Sequence, residues 1–286
     1  MVQEEKIKLL GFIAAALQED MGDGDHTSLA TIPYEKQGVA ELVIKADGIL
    51  AGVDEAIAVF ETVDRTLAVE LLKQDGDRVT AGDIVFRVSG RTHSILLAER
   101  VLLNIMQRMS GIATVTHHIM QSLSGTHTKL LDTRKTTPLL RFLEKKAVAI
   151  GGGTNHRFGL YDMILIKDNH VDYAGGIRQA IEKANIYRKE LGRFIPIEIE
   201  VRSLDELQQV LDTGRVERIM FDNFTPGLVK EAVALVGGQY ITEASGGITA
   251  QQVRQYADAG VDYISMGALT HSVMSLDMSL KAKTVD

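Results

Sequence analysis

Several common features are missing from this sequence, and each absence narrows its possible functions. Its 286 residues include no cysteine, which excludes disulfide bonds, thiol catalysis and thiolate metal sites and favours a reducing compartment. No apolar run approaches the roughly 20 residues that span a bilayer. The first segment has acidic flanks, unlike the basic start of a secretory signal. We therefore expect a cytoplasmic protein with no membrane partner.

An excess of positive charge is missing as well. The formal net charge of −7 argues against a general nucleic-acid binder, because such a protein needs a basic face. One stretch departs from this balance: between Asp132 and His170 there are seven Lys or Arg residues and four Asp or Glu residues. A local surplus of cations in an acidic chain indicates a site for a small anion.

Three familiar motifs are absent or incomplete. No G-x-G-x-x-G follows the first strand of the second half, which argues against a dinucleotide-binding fold, and no H-E-x-x-H indicates a zinc site. Residues 75–88 have the hairpin rhythm of lipoyl and biotinyl carrier domains, but no lysine stands at a hairpin tip. We interpret this segment as a packing layer of a β-rich sandwich.

The first part of the chain has the pattern of an α+β module. The glycine-rich turn at 22–28 carries Asp23 and Asp25, which could chelate a cation, but the calcium-loop pattern is absent and we favour a capped turn. The small residues at 110–114 predict a tight helix junction. Predicted helices cover 4–19, 54–60 (capped by Asp54) and 95–109, and predicted strands cover 39–49, 67–72 and 84–88.

After Lys129 the pattern changes to short apolar strands that alternate with amphipathic helices, which predicts parallel strands joined by crossover helices. Polar or glycine-rich residues follow each strand. In a parallel barrel these strand ends meet at one rim, where active sites lie. Predicted strands cover 130–131, 163–166, 195–201, 218–221, 239–242 and 263–266, and predicted helices cover 139–148, 177–191, 204–211, 226–236 and 250–259.

The early strand ends are cationic. Guanidinium groups match carboxylates with two parallel hydrogen bonds, and lysine adds point charge. The alternative is that these cations pair with Asp132, Asp162 and Asp168 or lie on helix surfaces. Because burying several unpaired cations is costly, we predict a cup for an anion. The predicted cup consists of Arg134, Lys135, His156, Arg157 and Lys167.

The later strand ends have a different chemistry. Ser245-Gly246-Gly247 before a predicted helix and Gly267 through His271 after the last strand offer backbone N–H groups to a phosphate, although glycine there could simply turn the chain. Glu200 and Asp222 suit Mg²⁺, ribose hydroxyls or an oxocarbenium-like cation. The residues alone therefore favour a phosphoribosyl transfer or a phosphate-binding aldolase with Lys167 as Schiff-base nucleophile. A non-catalytic metabolite-binding protein is a third interpretation.

The ordered motifs of this chain resemble the quinolinate phosphoribosyltransferase family, also called nicotinate-nucleotide pyrophosphorylase (carboxylating). One departure is Leu139, where the family usually has glycine, and it affects the shape of the 132–141 loop. The motifs are Glu19-Asp20, GDHT at 24–27, Arg108 with SGIAT at 110–114, DTRKTTP at 132–138, GGGTNHRFGLYD at 151–162, LIKDNH at 165–170, IEIEV at 197–201, Asp222-Asn223, EASGGI at 243–248 and GALTHS at 267–272.

The resemblance implies a fold and a reaction. The fold is α/β, with an α/β sandwich domain over 1–112, to which 272–286 contribute, and an incomplete parallel (β/α) barrel over 113–271 as the catalytic domain. The reaction converts quinolinate and phosphoribosyl pyrophosphate into nicotinate mononucleotide, pyrophosphate and CO₂ with Mg²⁺, in de novo NAD biosynthesis.

The resemblance also implies roles for individual residues. Arg134, Lys135, His156, Arg157 and Lys167 would bind the quinolinate carboxylates. Arg108 would reach in from a partner subunit of an obligatory homodimer, which could assemble further into a hexamer. Glu200 and Asp222 would serve the ribose and the metal, and Ser245, Gly246, Gly247, Gly267 and His271 the 5-phosphate. The predicted catalytic residues are Lys135, Lys167, Glu200 and Asp222.

Overall fold

The fold was obtained as a computed structural model that describes residues 3–283. The chain divides into two compact units, Met1–Val115 with Val273–Asp286, and Thr116–Ser272. No helix within the described residues has both the length and the apolar character needed to cross a membrane.

The first unit contains most of the antiparallel structure. Its sheet has the strand order β12-β1-β5-β3, and β2 pairs with β4 in a separate two-stranded sheet. The carboxyl-terminal strand β12 therefore completes a sheet that begins near the amino terminus. The elements are α1 (Gln3–Met21), α2 (His26–Thr31), β1 (Gln37–Ile44), β2 (Gly48–Ile49), α3 (Val53–Val63), β3 (Ala68–Leu71), β4 (Arg78–Val79), β5 (Ile84–Arg91), α4 (Thr92–Ser122), which continues past the division between the units, and β12 (Met278–Lys283).

Two helix caps in this unit test the sequence predictions. The capped turn is confirmed, because Asp25 accepts a hydrogen bond from the Ser28 N–H at 3.1 Å and begins α2. The cap predicted at Asp54 is wrong. α3 begins after Gly52, and its Val53 N–H donates to Asp75 Oδ1 at 2.9 Å. The oxygen that accepts from the first turn of α3 thus comes from a residue distant in sequence. A local sequence pattern cannot indicate such a partner.

The helix junction predicted at 110–114 is also wrong, because α4 continues through it. Ser110 Oγ accepts the Ala51 N–H at 2.9 Å, and Thr114 Oγ1 accepts the Ile49 N–H at 2.9 Å. A Cβ atom at Gly111 would overlap the carbonyl group of Met274. The small residues therefore allow two other segments to approach the side of a continuous helix, and Arg108 lies within that helix.

The second unit is built on a six-stranded parallel sheet with the order β6-β11-β10-β9-β8-β7. Within the described residues β6 and β7 are its edges, so the sheet is the predicted incomplete barrel. The elements are β6 (Lys129–Leu131), α5 (Arg141–Ile150), β7 (Ile164–Ile166), α6 (Asp168–Ala174), α7 (Ile177–Glu190), β8 (Ile197–Val201), α8 (Leu204–Thr213), β9 (Arg218–Asp222), α9 (Pro226–Val236), β10 (Ile241–Ser245), α10 (Val253–Asp258), β11 (Tyr263–Ser265) and α11 (Ala268–His271).

Side chains alternate along these strands and form two polar levels on one face of the sheet. The outer level, at the carboxyl ends, contains Glu200, Asp222 and Ser245; Ser245 is paired in register with Asp222. The inner level contains Glu198 and Glu243. Both lie within strands and are fully buried. The polar face of the sheet is therefore deeper than the sequence indicated.

The glycine segment after β10 also differs from the prediction. Ser245-Gly246-Gly247 does not open a helix, because turns occupy the next residues and α10 begins at Val253. The backbone N–H groups predicted for a phosphate at 245–247 thus belong to a loop.

Two further predicted boundaries agree closely: α9 spans Pro226–Val236 as predicted, with Thr225 as its cap.

Candidate active site

Arg141 organises the loop that carries the first two cup residues. Its guanidinium donates to Thr136 Oγ1 at 2.9 Å, to the Phe158 carbonyl at 3.0 Å and to the Arg134 carbonyl at 3.3 Å. These bonds join the 134–136 and 158 segments. Arg141, one of the seven cations counted in the sequence, is therefore used to shape the loop.

Arg134 and Arg157 form the centre of the cationic cup. Burial lowers the pKa of Arg157, and the nearby charge of Arg134 lowers it further. The Arg134 Nε atom is buried and has no hydrogen-bond partner among the described residues. Because an unsatisfied buried donor is costly, this pair of guanidinium groups fits an anionic ligand.

Lys145 is paired with an aspartate, as the alternative interpretation of the basic residues in this stretch expects. Its Nζ atom is hydrogen-bonded to Asp132 Oδ1 in a fully buried ion pair and donates to the His156 carbonyl at 3.0 Å. Asp132 also accepts the His156 N–H at 2.8 Å. Asp162 instead accepts the Phe158 and Gly159 N–H groups. Side chains within residues 132–162 thus hold the backbone of the same segment in place by hydrogen bonds.

Lys167, Glu200 and Asp222 lie together at the ends of β7, β8 and β9. Lys167 Nζ donates to Glu200 Oε2 at 3.0 Å, and Asp222 Oδ2 accepts from Asn223 Nδ2 at 2.6 Å. Burial raises the pKa of Glu200, and the charges of Asp222 and Asp168 oppose its ionisation further. The carboxylates of Glu200 and Asp222 are hard oxygen donors of the kind that Mg²⁺ prefers.

The glycine loops bring further predicted residues together. Gly246 (φ 102°) and Gly247 (φ 59°) both have left-handed backbone conformations. A Cβ atom at Gly246 would overlap Asn223, whereas one at Gly247 would meet nothing within 4 Å. A Cβ atom at Gly267 would lie 3.0 Å from Lys135 Cδ. Glycine is therefore required at 246 for close approach as well as for conformation.

Lys135 is held near the last strand end. The Thr270 hydroxyl donates to the Lys135 carbonyl at 2.7 Å, and a Cβ atom at Gly267 would also lie 3.1 Å from the His271 ring. The His271 Nδ1 atom is 2.6 Å from Ser272 Oγ. The structure thus places Lys135, Gly267 and His271 side by side, which joins the start of the cup to the predicted phosphate site.

His156 has surroundings that sequence reasoning missed. Its Nε2 atom lies 3.0 Å from Glu198 Oε2 and 3.5 Å from Glu243 Oε2, and Nδ1 accepts the Arg157 N–H at 2.7 Å. Both ring nitrogens thus face protein groups in this structure. The available signal was the alternation in IEIEV at 197–201, which places Glu198 and Glu200 on one face of a strand.

Charge in this cluster is balanced by buried partners. Arg218 Nη1 is 2.9 Å from Glu243 Oε2. Burial alone would lower the pKa of His156, but Glu198 and Glu243 raise it to about 9. Burial and the adjacent Glu243 raise the pKa of Glu198 to about 7. His156, Glu198, Glu243 and Arg218 thus form a buried cluster in which opposite charges offset each other.

Arg108 belongs to the first unit, whereas the other predicted cup residues belong to the second. That Arg108 reaches the cup of a partner subunit stays a prediction.

Comparisons with known proteins identify the family. The profile of "Quinolinate phosphoribosyl transferase, C-terminal domain" matches residues 112–281, and that of the N-terminal domain matches residues 25–110. The chain is 46% identical over 291 residues to a nicotinate-nucleotide pyrophosphorylase [carboxylating], chloroplastic, from Arabidopsis thaliana, covering 96% of this chain and 83% of the relative. It is 45% identical over 284 residues to a mitochondrial quinolinate phosphoribosyltransferase [decarboxylating] 2b from Nicotiana tabacum, covering 94% and 80%.

The fold agrees with that of a solved relative. The structure of the nicotinate-nucleotide pyrophosphorylase from Francisella tularensis matches with a TM-score of 0.91 at 37% identity and covers 97% of each chain. The sequence matches, which span both domains, and the structural match all point to the same protein family. The chain therefore belongs to the quinolinate phosphoribosyl transferase family.

Proposed function

We propose that this chain transfers the phosphoribosyl group from phosphoribosyl pyrophosphate to quinolinate with loss of CO₂. The products are nicotinate mononucleotide and pyrophosphate, and the reaction belongs to de novo NAD biosynthesis. The observation that carries this proposal is the adjacent pair of Arg134 and Arg157, with a buried unsatisfied Nε on Arg134, in a member of this family.

Quinolinate binds in the cationic cup. Its two adjacent carboxylates offset the mutual repulsion of Arg134 and Arg157 and accept the unsatisfied Arg134 N–H. Lys135 and Lys167 add positive charge at the two sides of the cup. Two anionic groups fixed by several cations give one orientation of the ring, so that its nitrogen faces the sugar donor.

Glycosyl transfer follows from the second group of residues. The pyridine nitrogen attacks the anomeric carbon while the bond to pyrophosphate breaks, and positive charge develops on the ribose. Glu200 and Asp222 stabilise that charge and bind the ribose hydroxyls. Mg²⁺, when bound by these carboxylates, would neutralise charge on the leaving pyrophosphate. Ser245, Gly246, Gly247, Gly267 and His271 surround the 5-phosphate.

Decarboxylation comes second. Once the ring nitrogen carries the ribosyl group it is cationic, so the bond between C2 and its carboxylate can break with the electron pair remaining at C2 as an ylide. A proton then adds at C2. Purified enzyme with labelled quinolinate is therefore expected to release CO₂ only with the sugar donor present, in equal amount to the mononucleotide. Release without the donor would contradict this order.

The assembly is part of the same proposal. Arg108 contributes to the cup of a partner subunit in a homodimer, which can form a hexamer. Mixing Arg108→Ala and Lys167→Met chains at a quinolinate concentration too low for either variant alone should restore activity, because one composite site then has both residues intact. No recovery after subunit exchange would contradict a shared site. We also propose a cytoplasmic location from the cysteine-free composition; the two plant relatives are named chloroplastic and mitochondrial.

A further inference from the structure

The buried acidic cluster takes no part in the steps above. Glu198 and Glu243 are completely buried, and both are directed at Nε2 of His156. Both oxygens of Glu198 have no hydrogen-bond partner of good geometry among the described residues. Carboxylates in a dry interior are costly unless partners compensate them. Glu198 precedes Glu200 by two residues on β8, and Glu243 precedes Ser245, the register partner of Asp222, by two residues on β10. Because both carboxylates are buried, their effect must reach the substrate through other residues.

The His156 ring has a defined proton position. In the neutral ring Nδ1 accepts the Arg157 N–H and the proton is on Nε2; in the charged ring Nε2 is protonated as well, but Nδ1 then carries a proton and gives up this contact. Nε2 lies 3.0 Å from Glu198 Oε2 and 3.5 Å from Glu243 Oε2, but among the described residues its N–H is not aligned with either oxygen for a hydrogen bond, so the contact is electrostatic. The ring is therefore a bridge between the acidic cluster on one side and the backbone of Arg157 on the other.

The peptide that leads into Arg157 is held at three points. The His156 N–H donates to Asp132 at 2.8 Å, its carbonyl accepts from Lys145 at 3.0 Å, and its ring holds the Arg157 N–H at 2.7 Å. The Arg157 side chain is supported more weakly, by one bond from Nη1 to the Met163 carbonyl at 3.3 Å. The orientation of Arg157 thus depends on its backbone.

A metal ion is the rival explanation of this cluster. The ligand atoms of His156, Glu198 and Glu243 lie within 4.8 Å of one another, which is a suitable spacing. However, a metal on Nε2 needs the ring proton on Nδ1, where the Arg157 N–H already occupies the lone pair. Arg218 also places a fixed positive charge 2.9 Å from Glu243. These contacts favour a proton over a metal.

We propose that Glu198 and Glu243 are positioning residues for quinolinate: through their close contacts with Nε2 of His156 they fix the 156–157 peptide and with it the guanidinium of Arg157. This inference rests on the proposed function of the cup. A dicarboxylate needs its cations in a fixed relative geometry, so a displaced Arg157 should weaken quinolinate binding. The sugar donor contacts other residues and is affected less.

The test compares Glu198→Leu, which removes the acceptor, with Glu198→Gln, which retains an amide oxygen. In Glu198→Leu the KM for quinolinate should rise at least about tenfold, corresponding to the loss of one contact with a charged group, while kcat and the KM for the donor change little. Glu198→Gln should recover part of the loss. Equal increases in both KM values, or no increase for quinolinate, would overturn the proposal.

The matched control is Glu217→Gln. Glu217 pairs with Arg188 at 2.7 Å and precedes β9, so it lies at the opposite end of the strands from the cup. It should lower stability without changing the ratio of the two KM values. A change in that ratio equal to that of Glu198→Leu would overturn the positioning role.

A measurement that needs no turnover separates this inference from the proposed function. ¹H–¹⁵N spectra of the imidazole groups, with His156 assigned by the signal lost in His156→Gln, should show a slowly exchanging Nε2–H in the wild type that exchanges rapidly in Glu198→Leu. A wild-type ring protonated only on Nδ1, or a stoichiometric metal in the purified wild type that is lost in His156→Gln, would overturn the inference even if Glu198→Leu does not fold. Absence of turnover with this signature intact would instead contradict the proposed function.

Discussion

The amine of Lys167 and the carboxylate of Glu200 form an ion pair with an Nζ–Oε2 distance of 3.0 Å. Lys167 is predicted to bind quinolinate, and Glu200 to serve the ribose and Mg²⁺. The pair therefore joins the two predicted substrate sites, although the two residues are 33 positions apart in the chain.

Replacing Lys167 should affect both substrates, whereas replacing Arg134 should affect mainly quinolinate. Loss of a charged hydrogen bond costs about 1.5–3 kcal/mol, so either Lys167→Met or Arg134→Met should raise the KM for quinolinate by about 10- to 100-fold. Lys167→Met also releases Glu200 and should raise the KM for the donor. Steady-state kinetics with each substrate varied test this difference. Equal effects of both variants on the donor would contradict it.

Lys167 should not act as a Schiff-base nucleophile, because its amine is already bound by Glu200. Borohydride treatment in the presence of a ketone or an aldehyde substrate should therefore give no covalent adduct at Lys167, as measured by mass spectrometry of tryptic peptides. The Lys167→Met variant supplies the control for labelling of other lysines. A specific adduct at Lys167 would favour the aldolase interpretation.

Gly246 and Gly247 offer a matched pair of substitutions. Both have positive φ angles of 102° and 59°, but only Gly246 lies where a Cβ atom would overlap Asn223. Gly246→Ala should raise the KM for the donor by at least about tenfold more than Gly247→Ala does, because displacing Asn223 disturbs Asp222. Donor kinetics and thermal unfolding of both variants measure this. Equal effects would show that backbone conformation alone matters.

Leu139→Gly should stabilise the protein. Leu139 has φ 67° and an exposed fraction of 86%, so little packing is lost, and a left-handed conformation costs about 1–2 kcal/mol for a residue with a Cβ atom. After the entropy cost of glycine, we expect a gain of about 0.5–1 kcal/mol in the free energy of unfolding. The exposed Leu160→Gly, at negative φ, is the control and should destabilise. A lower melting temperature for Leu139→Gly would contradict this account.

Stability should fall as the pH rises through the titration of His156. Its pKa is raised in the folded state to about 9 from 6.5, so the stabilisation is fully present below pH 6.5 and is lost as the pH rises through about 9. His156→Gln should show a flatter dependence over this window, by up to a few kcal/mol. Urea unfolding of both proteins between pH 6 and pH 9.5 measures it. Parallel curves would contradict the assigned shift.

Much of the architecture could be predicted from short-range patterns. The span of α9 was predicted at both ends because Thr225 and Pro226 begin a helix locally. The predicted junction at 110–114 failed for the opposite reason. Position 111 needs a glycine because the carbonyl group of Met274 leaves no room for a Cβ atom there. Met274 is 163 residues away by their numbering, and a local pattern carries no information about such a partner.

The chain by itself determined the alternation of strands and helices, the surplus of cations after Asp132 and the polar strand ends, since these follow from side-chain periodicity and charge. Only the tertiary structure decided how each charge is used. It ties Lys145 to Asp132, Lys167 to Glu200 and His156 to Glu198 and Glu243, and it leaves Arg134 and Arg157 beside each other. Whether a charged side chain is paired or available for a ligand depends on distances between remote segments, and only folding sets those distances.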